Sequence, residues 1–145
     1  MANYVNIVER ATAVLPQTAD LGLFTVVGSV ELVRIVGEVT VEIGAFANDT
    51  LLKVKPTIGA DVDLCAALDV TGDVVGSLYN ITGTATDPLV NTVSGAMPDQ
   101  VTPVIVEDGV IELECAGNSG TGSIKWTLHY VPLDASSYVV AVAIP

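Results

Sequence analysis

Cations are scarce in this chain. Five lysines and arginines stand against 17 aspartates and glutamates, a formal net charge of −12 at pH 7. Binding a phosphate backbone needs a clustered basic patch, and Arg10, Arg34, Lys53, Lys55 and Lys125 are scattered along the sequence. Nucleic acid is therefore not an expected partner. The one histidine, His129, would have to carry any Ser-His or Cys-His centre. No G-x-S-x-G elbow occurs, and nothing in the sequence sets a nucleophile beside it. The two cysteines, Cys65 and Cys115, lack the paired spacing of a zinc site. Both lie in apolar surroundings and read as buried thiols; a disulfide between them stays open, because sequence alone does not bring two Cα atoms together. Long apolar runs are missing as well. None approaches the roughly 18 residues of a membrane span, and Glu31 breaks the longest, 21–33. The first twenty residues also lack the basic region and apolar core of a secretory leader. The chain thus reads as soluble, without a leader, and with no membrane partner.

What the sequence does have is apolar residues, half of the total. They are mostly Val, Ile, Leu and Ala in short runs bounded by Gly, Asn, Asp and Pro, the pattern of many short strands. A chain of 145 residues is the size of one ordinary domain. The clearest stretch is VELVRIVGEVTVEI, Val30 to Ile43. Val33, Ile35, Val39, Val41 and Ile43 alternate there with Arg34, Glu38, Thr40 and Glu42, so one face is apolar and the other charged. Gly37 interrupts the ridge and marks a bulge, a bend or the turn of a hairpin. The expected fold is all-β, an antiparallel β-sandwich or jelly-roll-like barrel with at most one short helix. Residues 1–20 read as an N-terminal arm or edge strand, and residues 21–145 as a single β domain.

Further strands are expected at 21–27, 51–58, 74–83 and 123–133. In the last of these Ile124, Trp126, Leu128 and Tyr130 share a face. Asp61 to Asp69 is the one stretch with helical spacing, through Leu64, Cys65 and Leu68. Ala85 to Gln100 reads as a long loop, functional or covering an edge. Asp108-Gly109 lies between two apolar runs and predicts a two-residue hairpin. Tyr138 to Ile144 has no charge and is expected to be paired or covered, since exposed it would invite aggregation.

Few residues suggest chemistry. Asp61, Asp63, Asp69 and Asp73 form the densest acidic cluster, but the glycine and terminal glutamate of a calcium loop are absent. Capping and turn roles account for them better, and no metal or cofactor is expected. Glu112 and Glu114 suggest a carboxylate pair for glycoside hydrolysis, yet their alternation places both on the solvated face of a strand. AGNSGTG, 116–122, lacks the lysine and helix of a phosphate loop. Trp126 and Tyr130 are in register for a sugar platform, with a core position the weightier reading. No reaction centre emerges, and the chain is not expected to be an enzyme.

Three segments carry a resemblance. They are LFTVVGSVELVRIVGEVTVEIG, then TLLKVKPTIGADVDLCAALDVTGDVVGSLYNITG, and finally GSIKWTLHYVPLDASSYVVA. Together they resemble small structural proteins of tailed bacteriophage virions, most of all capsid decoration (cement) proteins. The shared positions fall at Leu23 to Val26, Gly37 to Gly44, Leu52 to Asp69, Gly76 to Gly83 and Gly122 to Leu133. They are glycines, prolines and aromatics rather than a chemical signature. The resemblance implies a β-sandwich or barrel unit, commonly a homotrimer, on the capsid surface of a virion and made in the host cytoplasm. Its partners would be the major capsid protein and copies of itself, and it transfers no catalytic residues. Tyr4, Val5 and Ile7 in the arm and Tyr138, Val140 and Val142 in the last strand are the expected interface residues. The alternatives are a tail, head-fibre or baseplate subunit, a carbohydrate-binding host-recognition module using Trp126, Tyr130 or Tyr79, and a hydrolase built on Glu112, Glu114 or His129.

Overall fold

The computed structural model describes residues 5–93 and 95–144. Two antiparallel sheets of six strands each pack face to face as a β-sandwich, and no helix occurs among the described residues. The first sheet runs β1 (Asn6–Val14), β11 (Ser123–Pro132), β3 (Val30–Val41), β7 (Leu78–Asn80) and β8 (Val90–Thr92), with β9 (Val104–Val106) also on β3. The second runs β12 (Tyr138–Ala141), β2 (Ala19–Val27), β10 (Gly109–Cys115), β4 (Asp49–Pro56) and β5 (Val62–Asp63), with β6 (Leu68–Asp69) also on β4.

Alternation builds the core. Leu32, Ile35, Val39, Ile124 and Leu128 of the first sheet and Leu23, Phe24, Val26, Leu52, Ile111 and Leu113 of the second are all buried. Each such side chain contributes about 1.5–3 kcal/mol through the area it removes from water. The phase of β3 changes once. Its inward residues are Val30 and Leu32, then Ile35, Gly37 and Val39. The register with β11 jumps from Leu32–Tyr130 to Arg34–His129, which leaves Val33 as the extra residue of a bulge. Val33 is therefore only half-buried, and Val41 at the strand end is exposed.

Gly37 is neither a bulge nor a turn, since β3 runs unbroken through it. It lies directly between Trp126 of β11 and Tyr79 of β7. A Cβ there would come within 2.7 Å of the Trp126 ring, so the indole occupies the space a side chain would need. The rings of Tyr79 and Trp126 then stack across the strand, with centroids 6.4 Å apart and planes at 26°. Cross-strand aromatic pairs of this kind add to sheet stability beyond their buried area.

Two local expectations are corrected. Asp61 to Asp69 forms two short strands on β4 rather than a helix. So short a segment gains few helical hydrogen bonds for the cost of nucleation. Leu64 instead donates its N–H to Leu52 O at 2.8 Å and packs inward with Cys65. Asp108-Gly109 is not a hairpin turn, because β9 before it belongs to one sheet and β10 after it to the other. The aspartate ties this crossing to its neighbours. Its side chain accepts from Gly28 N at 3.0 Å and Thr57 Oγ1 at 2.6 Å, while Thr57 N donates to its carbonyl at 2.9 Å. Gly28 is itself at the crossing from β2 to β3, with φ +75°. The last strand is paired as expected, Tyr138 to Ala141 lying on β2, with Val139 buried and Tyr138 and Val140 exposed.

The segment 85–100 does cover an edge, through β8 on β7. Its end is fastened to the first sheet by Asn80 Nδ2 donating to Pro98 O at 2.7 Å and Gln100 Nε2 to Leu32 O at 3.2 Å.

Gly37→Ala should destabilise the fold by about 1–3 kcal/mol through overpacking against Trp126, read as a lower urea midpoint at unchanged slope. An unaltered midpoint would mean the indole moves aside without cost.

Candidate functional site

The expected interface residues can now be placed. Tyr4 lies outside the described residues. Val5 and Ile7 belong to the edge formed by β1, and Tyr138 and Val140 to the edge formed by β12; these edges are the ends of the two sheets on the same side of the sandwich. Val5 is 50 % exposed, Ile7 64 %, Tyr138 48 % and Val140 46 %. Val142 is half-buried, its methyls lying over the bare backbone of Gly22. The fold thus brings strands from opposite ends of the sequence to one side of the sandwich, with Ile7 on the outer face of the first sheet and Tyr138 and Val140 on the outer face of the second.

The same edge strand β1 carries Arg10. Along β1 the inward phase passes from Val8 to Arg10, which lies across from Trp126 and is only 1 % exposed. No atom of its guanidinium has a hydrogen-bond partner among the described residues. Burial lowers its pKa from the usual value. An unpaired buried charge is costly, several kcal/mol in ordinary protein interiors. Sequence reasoning passed Arg10 over, although its place in the inward phase of an alternating strand was the available signal.

The opposite side of the sandwich is open. Between β9 of the first sheet and β4–β5 of the second lies a groove of about 580 Å³, floored by Val54, Leu64, Val104 and Val106. Ile58, Val62 and Ile105 form its lips and are largely exposed. Its charged lining residues are Asp63 and Glu107, both acidic.

The residues singled out for chemistry do not converge. His129 is half-buried on the outer face of the first sheet, its Nδ1 3.4 Å from Arg34 Nη1. Burial, then the Arg34 charge, lowers its pKa. Arg34 in turn grips Asp99 with two hydrogen bonds, of 2.9 and 2.7 Å. That bond holds the Asp99 carboxyl below the usual range. Glu112 and Glu114 lie on the other outer face beside Lys53. The Lys53 ammonium is 2.8 Å from Asp20, 3.3 Å from Asp61 and 3.6 Å from Glu114. Those carboxylates, the Asp20 hydrogen bond foremost, raise its pKa far above the ordinary value. Glu112 departs from the solvated position expected of it: one carboxylate oxygen is buried without a partner among the described residues, and burial raises its pKa. A lysine held as an ammonium by three carboxylates is a structural tie rather than a nucleophile.

The four aspartates of 61–73 are dispersed. Asp61 joins Lys53, Asp69 accepts from Asn48 N and Thr71 N, and Asp73 accepts from Tyr79 Oη and Asn91 Nδ2. Among the described residues no three acidic, histidine or cysteine side chains are placed to hold a metal ion. Cys65 and Cys115 are separate buried thiols; burial pushes Cys65 up to about 11. Trp126, Tyr130 and Tyr79 are buried at 1 %, 6 % and 0 % exposure, which removes them from any surface platform.

No protein-family model, curated protein or solved structure matches the chain.

Arg10→Met should raise the stability of the isolated chain by about 1–4 kcal/mol, as apolar replacement of buried charge often does; a lowered urea midpoint would show that the guanidinium is well accommodated. The Arg34–Asp99 clasp has a definite pH sign. Because the folded-state pKa of Asp99 is depressed, its contribution is present above the ordinary aspartate range and lost as pH falls through the lower folded value. Hydrogen-exchange protection factors at residues 95–100, taken relative to the intrinsic rate at each pH, should therefore fall in acid. Asp99→Asn should show the lower protection already at neutral pH, and equal protection in both proteins would rule the clasp out.

Proposed function

We propose that the chain is a non-enzymatic structural protein of a bacteriophage virion, a decoration or cement protein that binds across neighbouring major capsid subunits and associates with copies of itself as a homotrimer. The observation that carries this reading is the exposed apolar side chains along the β1 and β12 edges, Val5, Ile7, Tyr138 and Val140. A cementing protein requires an interface strong enough to offset the loss of its own freedom, and many copies on one shell multiply weak contacts. The resemblance of three long segments to virion proteins agrees with this. The acidic surface fits a capsid exterior, where like charge keeps finished particles apart. A sugar-binding module is disfavoured, because the three aromatics that would stack on a glycan lie inside.

Immunogold microscopy with antibody to the purified chain tests the reading on particles of the virus that encodes it. Label over the shell is expected, together with a lower temperature of shell disruption in particles that lack the chain. Label confined to tails or fibres would move the protein to the alternative virion position. Absence from particles would end the proposal.

A further inference from the structure

We infer that the groove between the sheets is a docking site for one extended strand of another protein, a segment of alternating apolar residues that also carries lysine or arginine. The strand would lie between β5 and β9, bond one edge of each sheet and close that side of the sandwich. Such a site would serve the chain wherever it resides, on a virion or elsewhere.

The backbone of the two walls calls for a polypeptide. Leu64 N donates to Leu52 O, so Leu52 and Leu64 form a bonded pair next to β5. Bonded and non-bonded pairs alternate along an antiparallel ladder. Asp63, opposite Lys53, therefore turns its N–H and C=O away from β4. On the other wall Leu133 N donates to Ser29 O, which puts Glu31 in the phase bonded to β11 and Val30 and Leu32 in the phase bonded to β9. Ile105, opposite Glu31, thus directs its own N–H and C=O away from β3. Among the described residues no further strand pairs with β5 or β9. Asp63 and Ile105 both line the groove, although alternation turns their side chains outward. What they present to it is main chain. A lipid or a small apolar ligand would leave these donors and acceptors unsatisfied, whereas an inserted strand has one edge for each wall.

The side chains specify what that strand carries. Val62 lies opposite Val54 and faces inward with it, yet Val54 is 7 % exposed and Val62 58 %. Val62 is thus a core-phase residue without cover. Apolar side chains at every second position of an inserted strand would cover it and fill the groove of about 580 Å³. Asp63 and Glu107 stand exposed beside the groove, one on each wall, and neither joins an ion pair among the described residues. The chain has little with which to meet them. Arg34, Lys53 and Lys125 already hold carboxylates and Arg10 is buried, which leaves Lys55. A second copy is therefore a poor match, and a partner bringing its own cations is the complementary one.

The probe is a fluorescein-labelled heptapeptide of alternating valine and threonine, with lysine at both ends on the threonine face. It is titrated with the whole chain and read by anisotropy. A saturable rise is expected, together with new hydrogen-exchange protection at the Asp63 and Ile105 amides. The same peptide with glutamate ends should bind at least about threefold more weakly, and Asp63→Asn with Glu107→Gln should erase that difference. Ile105→Pro removes a groove-facing N–H at no cost in bonds to β3, and should weaken binding about tenfold. Val62→Asp, at an exposed position, should do the same by placing a charge in the groove, and it carries the test if melting by circular dichroism shows that the proline loosens β9. Absence of saturable binding, or binding that leaves both amides unprotected, would overturn the site. Equal affinity for the two peptides would overturn the basic partner. Self-association by light scattering that Val62→Asp abolishes would make a second copy the occupant, and would overturn it as well.

Discussion

The architecture depends on the absence of one side chain. Gly37 sits at the middle of the longest strand, between the two largest rings of the core, and the space above its backbone is filled by the Trp126 indole. Tyr79 closes on the same point from the other flank. Three strands distant in sequence, β11, β3 and β7, are thereby fixed in register at one place. The Tyr79 hydroxyl extends the arrangement outward by donating to Asp73, which also accepts from Asn91 of β8. Packing in the centre thus determines where the covering loops lie.

A sandwich secured in this way at its middle leaves its sides exposed. The crossings between sheets are tied through Asp108, Gly28 and Thr57 at one end, whereas the lateral rims end in open strand edges. The charges are spread over the outer faces, where Lys53 and Arg34 each hold carboxylates from other elements. Exposed apolar side chains occur along the edge strands, Ile7, Tyr138 and Val140 on one side and Val62 and Ile105 on the other, and also on loops, at Phe46, Val75, Val93 and Val101. This exposed apolar surface beside open strand edges is the physical basis for reading the chain as an assembly component.

Much of the fold was legible in the sequence because strand alternation is a local signal. Ile124, Trp126, Leu128 and Tyr130 face inward as their spacing required, and β4 carries Leu52 and Val54 inward as expected. The failures share a cause. Asp108-Gly109 has hairpin chemistry, but the sheet a strand enters is decided by its distant partners, β3 for one flank and β2 and β4 for the other. The tie around Lys53 draws on Asp20, Asp61 and Glu114, which lie far apart in the sequence. Val5, Ile7, Tyr138 and Val140 were marked as interface residues one segment at a time. That β1 and β12 share a side, with Arg10 behind them, required the topology.

The position of Trp126 has a further, optical consequence. It is the only indole in the chain, and it lies dry at the centre, stacked on Tyr79 and far from solvent. Its emission is therefore a single-site gauge of whether β11 still rests on β3. Events confined to the rims should leave its colour unchanged, while any loosening of the glycine seat admits water and shifts the emission to the red. Docking and unfolding can thus be told apart in the same cuvette without a label.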